Sequence, residues 1–99
     1  MTTSAARPSK GLHKPNEARV DRMTDDACKE FGRLVKFQRT RLGITQHELA
    51  KALGKSDGSY VAHIERGGGT SQNLRVRTMI LLAQALGFEL EIKFKSDAE

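Results

Sequence analysis

Residues 45–48 read Thr-Gln-His-Glu, and this tetrapeptide is the feature that most constrains how the chain can fold. It matches a capping box, in which the Thr45 hydroxyl accepts a hydrogen bond from the Glu48 N–H and the Glu48 carboxylate accepts one from the Thr45 N–H. A helix therefore starts here. Gly54 is placed to end it a few residues later, because glycine readily adopts the left-handed conformation of a helix C-cap. The segment predicts a short helix followed by a tight turn.

A second short helix follows that turn. It is predicted to start near Asp57, with Val61 and Ile64 on its core face and the run Gly67–Gly69 at its end. Two short helices joined by a tight glycine turn are typical of a helix-turn-helix unit.

Further helices are predicted on both sides of this unit. The first extends from about Asp25 to Arg41, and residues 24–26 supply polar groups suited to its start. Cys28 lies on its apolar stripe, which favours a small buried hydrophobe over a reactive thiol. The last helix follows the loop Thr70–Asn73 and ends at Gly87.

The apolar period changes to two beyond the last helix. Residues 88–95 alternate between apolar and charged side chains, which predicts a half-buried strand. The chain has no second strand signal, so this strand is expected to pair with its own copy in a second chain. The predicted homodimer interface consists of the apolar residues of the strand, Phe88, Leu90, Ile92 and Phe94.

The charged residues of this strand favour one register. An antiparallel pair with Ile92 opposite its own copy sets Glu89 against Lys95 and Glu91 against Lys93. Both pairings are attractive, and each is worth roughly 0.2–1 kcal/mol. Centring the pair on residue 91 or on residue 93 instead sets Glu91 or Lys93 opposite its own copy. The sequence therefore predicts a two-stranded ribbon centred on Ile92.

Composition divides the chain into one domain with short extensions. Residues 1–23 are rich in Ser, Thr, Pro, Lys and Arg, which predicts a flexible basic N-terminal arm. Residues 24–87 form the helix-turn-helix domain, residues 88–95 the dimerisation strand and residues 96–99 a tail. The net charge of +5 favours an anionic partner such as DNA, RNA or an acidic protein, although a merely soluble basic protein stays open.

Several protein classes are disfavoured by what the sequence lacks. No apolar run is long enough to span a membrane, and no signal-peptide stretch is seen. The single cysteine fits a reducing compartment, so a cytoplasmic location is expected. No His, Cys or carboxylate cluster has metal-ligand spacing, and no nucleophile motif or phosphate-binding loop occurs. We therefore expect no metal, no cofactor and no enzymatic activity.

Three segments resemble the Cro/repressor-type (XRE) helix-turn-helix family. Residues 42–54 are similar to the start of its DNA-binding unit, residues 59–67 to its recognition helix and residues 82–87 to its closing helix. The resemblance implies a mainly α fold, a four- to five-helix repressor-like domain, to which the strand pattern adds one C-terminal β-strand pairing across a homodimer. A helix followed by a strand also resembles the HipB-type antitoxins.

The resemblance assigns candidate roles in DNA binding. Base contacts fall to three residues that lie off the core direction of the recognition helix: Ser59, Tyr60 and His63. For Tyr60 and His63, contact with phosphate or solvent alone stays open. Gly58 departs from the family, because a longer polar side chain often stands there and the turn before Ser59 is one residue longer than usual.

Phosphate contacts and one internal ion pair are also implied. Gln46 starts the first short helix, where its amide and the free N–H groups suit a phosphate oxygen. Lys55 and Arg66 flank the recognition helix and are candidates for further phosphate contacts, or for solvated charges only. Arg39 and Glu65 match a pair that is internal in the family and are assigned to structure.

The preferred function is a sequence-specific regulator of transcription that binds double-stranded DNA. The expected partners are a palindromic operator, a second copy of the chain and a cognate toxin, which makes the protein the antitoxin and autorepressor of a toxin–antitoxin operon. Two alternatives remain: a prophage or restriction–modification type regulator without a toxin, and a protein-interaction module that caps a partner. The basic arm is either a further DNA contact or a solvated tail.

Overall fold

A computed structural model describes residues 11–67 and 74–95 of the chain. Within these residues it contains four helices, which are α1 (Glu17–Leu42), α2 (Gln46–Ala52), α3 (Ser59–Glu65) and α4 (Val76–Leu86). The mainly helical prediction is confirmed at this level. Three predicted segments lie outside the described residues: the first part of the arm (1–10), most of the glycine-rich loop (68–73) and the tail (96–99).

The predicted start of the first helix near Asp25 is wrong, because α1 begins at Glu17. The Asn16 side chain accepts a hydrogen bond from the Arg19 N–H at 3.0 Å and so caps the helix. Thr24, which was expected to cap it, instead donates its hydroxyl to the Val20 carbonyl from inside the helix. Residues 17–23 of the predicted arm therefore form the first turns of α1.

The helix-turn-helix unit begins as predicted. Gly43 ends α1 in the left-handed conformation with φ of +72°, and its N–H donates to carbonyls of the last turn. The capping box then starts α2: the Glu48 N–H donates to the Thr45 hydroxyl at 3.0 Å, and the Thr45 N–H donates to the Glu48 carboxylate at 2.8 Å. The short α3 begins at Ser59, two residues after the predicted start near Asp57.

A small core lies where the four helices meet, and α1 packs against both α3 and α4. Its best buried side chains come from every helix: Phe31, Val35, Leu49, Ala50, Val61, Ile64, Leu82 and Leu86. Cys28 is buried beside it, as predicted. Burial, and secondly the charge of Asp25, raise the pKa of the Cys28 thiol, as expected for a cysteine that serves as a hydrophobe.

Gly32 allows α1 and α3 to approach closely. A Cβ atom at this position would overlap the backbone carbonyl oxygen of Ile64, and it would lie 3.0 Å from that of Glu65. Glycine inside a helix costs roughly 1 kcal/mol relative to alanine. The close approach of the last turn of α3 explains why a glycine fits this position better than alanine.

The segment after α4 carries no regular secondary structure, and no strand occurs among the described residues. A strand is defined by hydrogen bonds to a neighbour, so the predicted ribbon between two chains stays a prediction. Phe88 packs on its own chain, with its ring centroid 6.4 Å from that of Phe31. Leu90 is half-buried, whereas Ile92 and Phe94 are 44% and 91% exposed. The segment therefore leaves the core after Phe88.

Candidate nucleic-acid interface

One open depression lies on the surface around α3 and the turn before it. It is lined by seven residues, Lys55, Ser56, Asp57, Ser59, Tyr60, His63 and Arg66. Five of the six residues predicted to face DNA are among them, and only Gln46 lies outside. The structure thus brings most of the predicted site onto one surface.

The buried face of α3 fixes which side chains reach this depression. Val61 and Ile64 are buried in the core, as predicted. Ser59 and His63 are exposed, whereas Tyr60 is half-buried. An exposed face with hydrogen-bonding groups opposite a buried apolar face is the geometry that a recognition helix needs to reach base edges.

Tyr60 is covered on one face by a lysine. The Lys55 ammonium lies 4.6 Å from the centre of the Tyr60 ring, which is within the range of a cation–π interaction. The contact ties the turn before α3 to the first turn of that helix. It also holds a positive charge at the edge of the depression, where a phosphate would meet it.

Gly58 lies where the turn before α3 packs against the start of α2. A Cβ atom at this position would lie 3.1 Å from the backbone nitrogen of His47 and 3.2 Å from the Gln46 Cβ. These distances are shorter than ordinary van der Waals contacts, so the backbone of the turn packs tightly against α2. A side chain at position 58 would point at α2 and not into the depression.

Asp57 is a member of the depression that the sequence analysis did not assign to it. Its Oδ1 accepts hydrogen bonds from the Ser59 hydroxyl at 2.6 Å and from the Ser59 N–H at 2.9 Å. These two bonds, followed by the positive potential of His47, lower the pKa of the Asp57 carboxyl. An aspartate two residues before a helix was the available signal, because its side chain commonly accepts from the backbone two residues on.

Arg39 and Glu65 form the predicted ion pair between α1 and α3. Arg39 Nε donates to Glu65 Oε2 at 2.6 Å, and Nη2 donates to Oε1 at 3.1 Å. A third donor, Nη1, bonds the Ile44 carbonyl at 2.9 Å. The hydrogen bonds that Arg39 donates to Glu65 raise the pKa of Arg39, more than burial lowers it. This two-point pairing suits the planar guanidinium group.

Gln46 joins the same network. Its Nε2 donates to Glu65 Oε1 at 3.0 Å, so one carboxylate holds the start of α2 and the end of α1 together. An amide nitrogen carries two hydrogens. One remains for a phosphate oxygen while the other stays bonded to Glu65. The arrangement therefore orients Gln46 without removing its capacity as a phosphate donor.

Other kinds of site find less support in the described part of the chain. No group of three or more His, Cys, Asp or Glu residues is arranged to hold a metal ion in residues 11–67 and 74–95. None of the four described helices is both long and apolar enough to cross a membrane.

A family model described as helix-turn-helix matches residues 35–93, which is more than half of the chain. The matched span covers the last eight residues of α1, the other three helices and most of the C-terminal segment. It contains every residue that the sequence analysis assigned to DNA. No curated protein and no solved structure matches the chain.

Proposed function

This chain belongs to the helix-turn-helix family of DNA-binding regulators, and on that premise we propose that it is a sequence-specific repressor acting as a homodimer on a palindromic operator. Its α3 enters the major groove with Ser59, Tyr60 and His63 towards base edges. Gln46, Lys55 and Arg66 contact phosphates and set the register of the protein on the duplex.

The observation that carries the proposal is the shared depression around α3. It gathers hydrogen-bonding side chains and the cations Lys55 and Arg66 on one face, opposite the buried Val61 and Ile64. Polar groups for bases beside cations for phosphates are the combination that specific DNA binding needs. The net charge of +5 adds a general attraction to the duplex.

The homodimer is supported by the segment that leaves the core after Phe88. Ile92 and Phe94 are large, apolar and exposed on one chain. Pairing with a second copy about a two-fold axis would cover them and present two α3 helices to successive turns of DNA. The half-sites are therefore expected about 10 bp apart, centre to centre, or at a multiple of that spacing.

We further propose that the protein is the antitoxin and autorepressor of a toxin–antitoxin operon. The support is the sequence resemblance to antitoxins in which a strand follows the last helix. This part predicts that the product of a neighbouring gene arrests growth when expressed alone. Co-expression of the present chain is then expected to restore growth, and a harmless neighbour would favour a regulator without a toxin.

DNA binding is tested by titrating the full chain against a labelled duplex taken from upstream of its own gene. The control is a duplex of the same length and base composition with the order scrambled. We expect specific binding to exceed binding to the scrambled duplex by about a thousandfold or more. Both affinities should fall steeply as salt rises, because phosphate counterions are released. Equal affinity for the two duplexes would refute a sequence-specific regulator of this promoter.

A further inference from the structure

We propose that Asp57 and Ser59 together form a reader of exocyclic amino groups, which selects the N4 amino group of cytosine or the N6 amino group of adenine in the major groove. The inference rests on the proposed DNA binding by α3 and extends it to the chemical class of base that the start of this helix prefers. The inference follows from the position of the hydroxyl hydrogen of Ser59.

The hydroxyl hydrogen of Ser59 is committed to Asp57. The two oxygens are 2.6 Å apart, and an ionised carboxylate has no hydrogen to give, so Ser59 must be the donor. The Ser59 N–H is engaged by the same Oδ1 atom at 2.9 Å. The Ser59 hydroxyl oxygen and the Asp57 carboxylate keep lone pairs that can face a ligand. The two side chains can therefore accept hydrogen bonds from a ligand but cannot donate them.

Ionisation of Asp57 keeps the pair in this state. The two hydrogen bonds from Ser59 lower the pKa of the Asp57 carboxyl, and the nearby His47 acts in the same direction. Both residues are exposed on the surface of the depression. The acceptor character therefore persists at neutral pH and is accessible to a duplex.

The four bases differ in whether they present a hydrogen-bond donor to this pair in the major groove. Cytosine and adenine present an amino donor there, whereas guanine presents only the acceptors O6 and N7 and thymine presents the acceptor O4. A carboxylate with a serine oxygen attracts the first two bases and repels the acceptors of the others. The negative charge also reduces attraction to phosphates, so an aspartate here favours discrimination over affinity.

The first test selects duplexes from a randomised pool with the full-length protein. We expect one position in each half-site to be restricted to cytosine or adenine on one strand. That base is then replaced by an analogue that lacks only the amino group, purine for adenine or 2-pyrimidinone for cytosine. Affinity should fall about tenfold for the unaltered protein.

Protein variants connect this loss to the two residues. With Ser59→Ala, removal of the amino group should cost less affinity than it does in the unaltered protein, because only the Asp57 carboxylate is left to accept from it. Asp57→Ala removes the acceptor, so the Ser59 hydroxyl hydrogen becomes free to donate. This variant should bind all duplexes more tightly and accept guanine or thymine at the same position. Thr40→Ala, which removes an exposed hydroxyl from α1 outside the depression, is the control and should retain the preference.

The outcomes separate this inference from the proposed function. A pool that yields no preferred sequence overturns both. A clear operator in which no cytosine or adenine responds to Ser59→Ala overturns the amino-group reader and leaves the repressor in place. An unchanged preference in Asp57→Ala has the same consequence, because it means that the carboxylate does not set the direction of the Ser59 hydrogen bond.

Discussion

Arg39 and Glu65 join α1 to the end of α3 through two hydrogen bonds, and only 13% and 4% of their side chains are exposed. The same carboxylate also accepts from Gln46 at the start of α2. One acidic side chain therefore fixes three helices relative to each other. Its role is structural, but it also positions the residues that are proposed to face DNA.

Glu65→Ala should destabilise the fold strongly. It leaves the Arg39 guanidinium largely buried without its carboxylate, and breaking a buried pair in this way costs on the order of 3 kcal/mol. Thermal unfolding followed by circular dichroism measures the effect. The matched control is Glu91→Ala, which removes a carboxylate from an exposed pair with Lys93 and should cost under about 1 kcal/mol. Similar losses in both variants would contradict the structural role of the pair.

Gly32→Ala should also destabilise the protein, although alanine is the better helix former. Overpacking costs about 1–3 kcal/mol, and the upper end is expected because the added Cβ would meet the Ile64 backbone. The gain in helix propensity offsets only about 1 kcal/mol of this. Denaturant titration of the variant beside Glu30→Ala, on the exposed face of α1, checks the prediction. A variant more stable than the unaltered protein would show that α1 and α3 can separate freely.

Gln46→Ala and His63→Ala should weaken DNA binding in different ways. Loss of a phosphate contact at Gln46 lowers affinity for all sequences alike, whereas loss of a base contact at His63 relaxes preference by roughly 1–3 kcal/mol. Titrations with specific and scrambled duplexes distinguish the two patterns. Gln84→Ala, an exposed glutamine on α4, serves as the control. If His63→Ala leaves sequence preference intact, α3 does not lie in the groove as proposed.

Ile92→Cys should form a disulfide-linked dimer under mild oxidation. In the proposed ribbon, residue 92 lies on the two-fold axis, so its two copies fall within the Cα separation of about 4.4–6.8 Å that a disulfide needs. The two copies of residue 90 would be about 13 Å apart, so Leu90→Cys should not cross-link. Both variants are made with Cys28→Ala. Preferential linkage through position 90 would rule out the register centred on Ile92.

The structure also indicates where the chain should be shortened to remove the dimer. A chain ending at Gly87 would lose Phe88, which packs on Phe31 within one chain, and the domain itself would suffer. Ending the chain after Glu89 keeps that contact and removes only the segment that leaves the core. Sedimentation analysis should then find monomers that bind the palindrome poorly. A stable dimer of the shortened chain would place the interface elsewhere.

Local chemistry made the centre of the fold predictable. The capping box at Thr45 and Glu48 acts over four residues, so the sequence alone specified the start of α2 and the order of helices around it. The start of α1 was missed for a related reason. Only Val20 and Met23 are large and apolar in residues 17–23, and the sequence alone does not distinguish the cap at Asn16 from the polar residues 24–26 that lie inside the helix.

Features that depend on two distant segments could not be predicted in the same way. Gly32 has meaning only once the end of α3 is known to lie against it. Gly58 likewise has meaning only once the start of α2 is known to lie against the turn. A spacing rule identifies which residues share a helix face, but it does not describe how a turn folds back on its neighbour.

The lysine that covers Tyr60 gives the protein an optical property. Tyr60 is the only tyrosine, and the chain has no tryptophan. Its tyrosine emission therefore comes from one ring, which lies in the depression with an ammonium group 4.6 Å from its centre. A duplex that draws Lys55 towards a phosphate changes the polarity and quenching around that ring. The unlabelled protein thus contains a single tyrosine fluorophore at the surface where its DNA is proposed to bind.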